Sequence, residues 1–128
     1  MISVDRLIKD AMQINDEVEI KHENYFVDRY GDNIEIKGID AERMMEIINK
    51  YGKNEMTLYL HLCYEGIVEP NLKDKDLWKK YGVSMSNPYE IVKKVFKPYE
   101  YSAIAQRIDQ LSAGEIPSKA EVQEKIKN

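Results

Sequence analysis

Few side chains in this sequence of 128 residues could perform chemistry. The chain holds two histidines, His22 and His61, and one cysteine, Cys63. His61 and Cys63 lie two positions apart in a segment with helical character, so their side chains point about 200° apart around the axis and cannot share a metal ion. We therefore expect Cys63 to be an unreactive thiol of the core.

Asp74 and Asp76 are spaced like the first half of a calcium-binding loop. The full loop pattern also needs a glycine and a distal glutamate, and this sequence has neither at the required positions. Both carboxylates fit the first turn of a helix, where the helix dipole favours negative charge. The motifs of nucleotide-binding loops, serine hydrolases and zinc proteases are also absent. We expect no catalytic residues, no cofactor and no metal, which indicates a protein that is not an enzyme.

The composition indicates the class of protein to which this chain belongs. Apolar residues make up 43% and charged residues 33% of the chain, as in soluble globular proteins. No apolar run approaches the ~20 residues that span a bilayer, and the N-terminal alternation of charged and apolar residues is unlike a signal peptide. A single cysteine favours a reducing compartment.

The charge is distributed unevenly along the chain, although the net charge is only −4. Residues 1–70 carry 8 basic and 15 acidic side chains, whereas residues 71–98 carry 7 lysines and 3 acidic side chains. The basic stretch could mark an anionic partner. Proteins that recognise nucleic-acid bases usually do so with arginine, however, and all seven basic residues here are lysines. We therefore favour a solvated helical face. We also expect the two stretches to meet between subunits, so that salt weakens self-association.

Period-two alternation between residues 17 and 39 predicts a small antiparallel sheet around a turn at Tyr30-Gly31-Asp32-Asn33. The sheet is either a hairpin or, with Glu17–His22, three-stranded. Such a sheet is marginal alone and must pack on helices, and an exposed edge strand would be a ready site for pairing with another chain.

Capping residues and helical periodicity predict about six helices in the rest of the chain. Asp40, Asn54 and Asn87 are predicted N-caps, and Pro98 is predicted to begin a further helix. The fold class is therefore α+β, mostly helical, in one domain of residues 1–128. Its parts are an N-terminal helix (1–15), the small sheet (17–39), a helical core (40–114) and a weakly anchored C-terminal helix (115–128).

The single tryptophan, Trp78, lies in a short charged helix predicted from Lys73 to Tyr81. Leu77, Trp78 and Tyr81 fall on one side of this helix. Trp78 is therefore either a core residue or a docking residue for a partner. We favour the core, because Leu77 and Tyr81 give the indole neighbours to pack with.

An ordered set of features from Pro70 onward resembles the tail assembly chaperones of long-tailed bacteriophages and of phage-like elements in Gram-positive genomes. The chain reads Pro-x-Leu-x-Asp-x-x-Leu from Pro70, then Tyr81-Gly82, a proline-started helix, and Ile-x-x-Leu-Ser-x-Gly from Ile108. The resemblance extends over about residues 26–128 and is most specific within 70–114. The resemblance does not assign a place to the N-terminal helix, and the usual Ser-Gly of the family is Ser-Ala-Gly here.

The resemblance implies a chaperone of tail building in the cytoplasm of the bacterial host that is absent from the mature virion. Such chaperones bind the long, hydrophobic tape measure protein, keep it soluble and help to recruit tail tube subunits. It also implies a homo-oligomer, and we expect no nucleic acid or membrane partner. The candidate partner-binding residues are apolar side chains in and beside the charged helix and in the C-terminal tail: Leu72, Leu77, Trp78, Tyr81, Val122 and Ile126.

Two alternative interpretations remain. A structural tail or connector subunit would be present in purified particles, whereas a chaperone would be missing from them. A small phage regulator would bind nucleic acid through the lysine-rich helices of residues 73–97, with a steep dependence on salt.

Overall fold

A three-stranded antiparallel sheet lies near the N-terminus of the chain. The computed structural model describes residues 1–9 and 20–112. Strand β1 (His22–Val27) forms a hairpin with β2 (Asp32–Lys37), and β3 (Ile67–Glu69) pairs with the other side of β2. The order β1-β2-β3 makes β1 an edge strand.

The hairpin turn and the alternation of its strands follow the sequence closely. Gly31 adopts a φ of 63°, a left-handed conformation that glycine tolerates best. Its N–H donates to the carbonyl oxygen of Val27. Val27, Ile34 and Ile36 are buried on one face of the sheet, so the period-two pattern sets which face packs on the helices.

Helices make up most of the remaining chain. Asp40 and Asn54 accept hydrogen bonds from backbone N–H groups three residues on, which confirms both predicted caps. Pro98 begins the last helix, as predicted. Asn87 occupies the predicted N-cap position before Pro88, but its side chain makes no capping hydrogen bond, and the helix that begins there is a short 3₁₀ helix. The helices are α1 (residues 4–9), α2 (Ala41–Tyr51), α3 (Glu55–Gly66), α4 (Lys75–Tyr81), the 3₁₀ helix (Pro88–Glu90), α5 (Ile91–Val95) and α6 (Pro98–Ser112).

The centre of the core lies where α3 packs against α6. Cys63 of α3 and both Ala105 and Ile108 of α6 are fully buried. Gly66 allows the two helices to approach closely, because a Cβ atom there would lie 2.7 Å from the Ile108 side chain. The sheet covers the same core through its apolar face.

The predicted α+β, mostly helical fold class is confirmed, but the source of the third strand differs. That strand is Ile67–Glu69 and not Glu17–His22: the described residues 20 and 21 are not strand, and β1 begins at His22. Three residues that directly follow a helix are too short to show a period of two. The remainder of the predicted N-terminal helix and the predicted C-terminal helix lie outside the described residues.

Candidate partner-binding surface

The predicted partner-binding residues divide between core and surface. Leu72 and Trp78 are buried, with Trp78 only 8% exposed, and Leu77 packs partly against the core. Tyr81 is 43% exposed. Val122 and Ile126 lie outside the described residues. A partner could reach Tyr81 directly, whereas contact with Trp78 would need a rearrangement, so the role of this set stays a prediction.

The histidines and the cysteine sit in environments that do not favour reactivity. His22 Nδ1 lies 2.9 Å from Glu35 Oε2 in an exposed pair on the sheet. His61 is buried between the rings of Tyr51 and Tyr89. Burial raises the pKa of the Cys63 thiol, which keeps it protonated and poorly nucleophilic. No group of three or more metal-ligating side chains comes together in the described part of the chain.

The outer side of β1 is an unpaired edge. Gly38 N–H donates to the carbonyl oxygen of Lys21 over 3.0 Å, and these two residues continue the β1–β2 register. In an antiparallel pair, successive residues face alternately toward the partner strand and away from it. The backbone groups of His22, Asn24 and Phe26 therefore face away from β2, toward the free edge.

A groove of about 230 Å³ lies between this edge and the first half of α6. Its lining is rich in aromatic and apolar groups, including Tyr25, Phe26, Tyr99, Ala103 and Ile104. Phe26 is 57% and Tyr99 67% exposed, and an exposure this high is unusual for large rings that line one depression. We name this region, with its strand edge, the β1 groove.

An ion pair fixes one end of the β1 groove. Arg29 Nε donates to Glu100 Oε1 over 2.9 Å, and the N–H of Lys97 donates to the same oxygen over 2.8 Å. Burial alone would raise the pKa of Glu100, but these hydrogen bonds outweigh it and hold the pKa below its usual value. The pair ties the hairpin to the start of α6, so both walls of the groove are held in place.

A second ion pair holds the other end. Arg107 of α6 donates to both carboxylate oxygens of Glu23 over 2.6 and 2.7 Å, which lowers the pKa of Glu23. This fork-like geometry is the stronger form of an arginine–carboxylate contact. Both arginines beside the groove are thus neutralised by partners within the chain.

Helices α1 and α2 also expose apolar side chains. Met45 and Ile48 lie one turn apart on the outer side of α2, and Leu7 and Ile8 of α1 are about half exposed. The exposed apolar surface of the described residues is therefore spread over the hairpin edge and several helices. None of the helices in the described ranges is long and apolar enough to cross a membrane.

Sequence reasoning predicted an exposed edge on the sheet but missed the residues that form the β1 groove. One signal was available in the strand His22–Val27. The side chain of Phe26 points to the same face of the sheet as those of His22 and Asn24, where a polar residue is expected. The contribution of Tyr99 and Ala103 depends on how α6 packs on the hairpin, which local patterns do not encode.

The comparison with family models decides the identity. The model described as "Phage XkdN-like tail assembly chaperone protein" matches residues 5–127. The chain belongs to this family of phage tail assembly chaperones. The chaperone family is thus confirmed over nearly the whole chain, including the N-terminal helix that the resemblance left unassigned. Members of the family are generally chaperones rather than enzymes.

A solved structure supports the fold independently. The crystal structure of the protein YqbN aligns with a TM-score of 0.57 and 21% sequence identity, over 72% of this chain and 87% of YqbN. At this identity the similarity establishes the fold only. No curated protein matches the chain.

Proposed function

We propose that this tail assembly chaperone binds the tape measure protein, keeps it soluble and helps to recruit tail tube subunits, without catalysing a reaction. Membership of the family supports a role in tail assembly. The observation that carries the proposal is the exposed apolar surface, above all the exposed rings of Phe26 and Tyr99 that line the β1 groove. A chaperone for a hydrophobic client needs apolar surface that it can offer reversibly, inside a charged rim that keeps it soluble.

The composition of the surface agrees with this role. One third of the residues are charged, which keeps a protein with exposed rings in solution. The buried thiol of Cys63 and the buried ring of His61 take no part in any catalytic arrangement of the described residues. We assign the function to binding, and membership of the tail assembly family supports action in the host cell before the tail is complete.

Co-expression with the tape measure protein of the same phage tests the proposal. We expect the soluble fraction of the tape measure protein to rise and the two chains to co-purify. A second acidic helical protein of similar size, expressed at the same level, controls for a general effect on solubility. A tape measure protein that stays insoluble, or that is equally soluble with the control, would contradict the proposal.

Two further measurements separate this role from its alternatives. Mass spectrometry of purified particles should not detect the chain, whereas a tail or connector subunit would be present in fixed copy number. A gel-shift assay at low salt should show no DNA complex. A complex that dissociates steeply with added salt would favour a nucleic-acid-binding regulator.

A further inference from the structure

Apart from one inward-pointing charge, Glu23, which Arg107 neutralises, the edge of β1 lacks, among the described residues, the features with which proteins usually prevent pairing with another chain. Such features include a proline, a bulge, a very short strand or a covering element. β1 is six residues long, contains no proline and pairs with β2 in one continuous register. The register shift in the sheet lies between β2 and β3, away from this edge. Among the described residues, no strand lies against the outward N–H and C=O groups of His22, Asn24 and Phe26.

The β1 groove lies where an added strand would place its side chains. Side chains of neighbouring strands alternate in step, so every second residue of an added strand would point to the same face as Tyr25. On that face the groove offers the rings of Tyr25 and Tyr99 and the small side chain of Ala103. The edge therefore combines free backbone groups with an apolar groove on the face to which Tyr25 points.

Two charges remain at opposite ends of this edge. Arg29 and Arg107 are neutralised by Glu100 and Glu23. Lys21 precedes β1 and Asp28 follows it, both are exposed, and neither side chain forms an ion pair within the described residues. A strand that ran antiparallel to β1 would be favoured if it carried a cation at its start, beside Asp28, and an anion at its end, beside Lys21.

We propose that the β1 groove binds an extended, apolar segment of the client, which adds to the sheet as a fourth, antiparallel strand. Backbone hydrogen bonds to Asn24 and Phe26 provide affinity, and large aliphatic side chains at alternate positions enter the groove. The charges of Asp28 and Lys21 fix the direction of the segment. The identity of the client as the tape measure protein rests on the proposed function, whereas the binding mode rests on the groove itself.

A capped peptide, Lys-Val-Thr-Val-Thr-Val-Thr-Glu, provides the probe. We expect saturable binding by fluorescence anisotropy, and slower amide exchange at Asn24 and Phe26 in the NMR spectrum of the complex. Asn24→Pro removes an N–H that faces away from β2, a position where an edge strand tolerates proline. It should weaken binding about tenfold, because a hydrogen bond is lost and the ring obstructs pairing. The control Asn24→Ala keeps the N–H and should bind like the wild type.

A charge exchange tests the direction of the segment and does not depend on how proline affects folding. Asp28→Lys should weaken binding of the peptide about threefold. The same variant should bind the reversed-charge peptide, Glu-Val-Thr-Val-Thr-Val-Thr-Lys, better than the wild type does. Tyr99→Ala should weaken both peptides, whereas Met85→Ala, which changes an exposed apolar side chain outside the groove, should affect neither.

The possible results separate the binding mode from the proposed function. Absence of peptide binding, or binding that is unchanged in Asn24→Pro and Asp28→Lys, would overturn the groove assignment even if the tape measure protein co-purifies. Peptide binding without co-purification would support the groove and contradict the proposed client. The Asn24 and Phe26 amides could instead exchange slowly in a dimer of the protein that the peptide does not dissociate. That result would assign the edge to pairing with a second copy and overturn the proposal.

Discussion

Trp78 explains how a short, highly charged helix can belong to the core. Its indole is buried, and Nε1 donates to the carbonyl oxygen of Leu72 over 2.7 Å. Asp74 caps the start of α4, and Lys79 and Lys80 lie in its last turn, the order that the helix dipole favours. The charges therefore cover the exposed side of α4 while the indole anchors the other side.

Replacing Trp78 should reveal how much this anchor contributes. Trp78→Ala should lower the free energy of unfolding by about 3–5 kcal/mol, because it removes a large buried side chain and leaves a cavity. Trp78→Phe keeps most of the apolar volume and loses the hydrogen bond, so we expect a smaller loss. Urea unfolding measures both values. Near wild-type stability for Trp78→Ala, together with loss of client binding, would instead identify Trp78 as a docking residue.

His61 is a buried ionisable group without a charged partner. Its ring stacks on Tyr51 at 3.4 Å between centroids, lies 4.2 Å from that of Tyr89, and its Nε2 has no hydrogen-bond partner in the described structure. Burial lowers the pKa of His61 to about 4, and the nearby charge of Lys50 acts in the same direction. The folded protein therefore holds His61 neutral.

This low pKa predicts a dependence of stability on pH. The unfolded chain protonates His61 near its ordinary pKa of about 6.5, whereas the folded protein does not until about pH 4. Stability should be complete above that ordinary pKa and fall by about 2 kcal/mol between about pH 7 and pH 5. Urea unfolding across this range measures the slope. His61→Phe should flatten it and His22→Ala should not; an unchanged slope in His61→Phe would contradict the prediction.

At the scale of elements, α6 is tied to the sheet at both ends. Its start is held by the Arg29–Glu100 pair, and its end by Ser112. Ser112 Oγ accepts from the N–H of Ile39 and donates to the carbonyl oxygen of Ile108, each over 2.7 Å. A Cβ atom on Gly38 would lie 2.9 Å from the backbone of α6, so the close approach requires glycine.

Removing the tie at the end of α6 should destabilise the contact between helix and sheet. Ser112→Ala leaves the Ile39 N–H without its partner and should cost about 1–3 kcal/mol. Gly38→Ala should cost a similar amount by steric overlap with the helix backbone. Ser102→Ala, which changes a half-exposed serine earlier in α6, serves as the control and should cost little. Thermal unfolding compares the variants, and equal melting temperatures for Ser112→Ala and Ser102→Ala would argue against the tie.

The sequence allowed the helices to be predicted better than the contacts between them. Caps such as Asp40 and Asn54 are local signals, and the hairpin follows from alternation and Gly31. The tie between Ile39 and Ser112 joins residues 73 positions apart, and no local pattern reports such a pairing. The β1 groove is hidden for the same reason, because one wall is a strand and the other a distant helix.

At the scale of the whole molecule, most lysines of the stretch 71–98 have no ion-pair partner among the residues that the structure describes. Among the described residues, Lys93 is the only lysine of this stretch in an ion pair, 3.6 Å from Glu90, which lies three residues earlier. Arg29 and Arg107, by contrast, pair with carboxylates over long separations in sequence. We therefore keep the expectation that these lysines meet an acidic surface of another subunit.

This distribution of charge predicts that self-association depends on salt. Sedimentation velocity should detect a larger species at about 0.05 M salt that dissociates at about 0.5 M, where exposed charges are screened beyond a few ångströms. Lys79→Glu should weaken association, because it reverses a charge in the basic stretch. Lys53→Glu changes the net charge equally within the acidic part and should weaken it less. A monomer at high protein concentration in both salt conditions would rule out association through these charges.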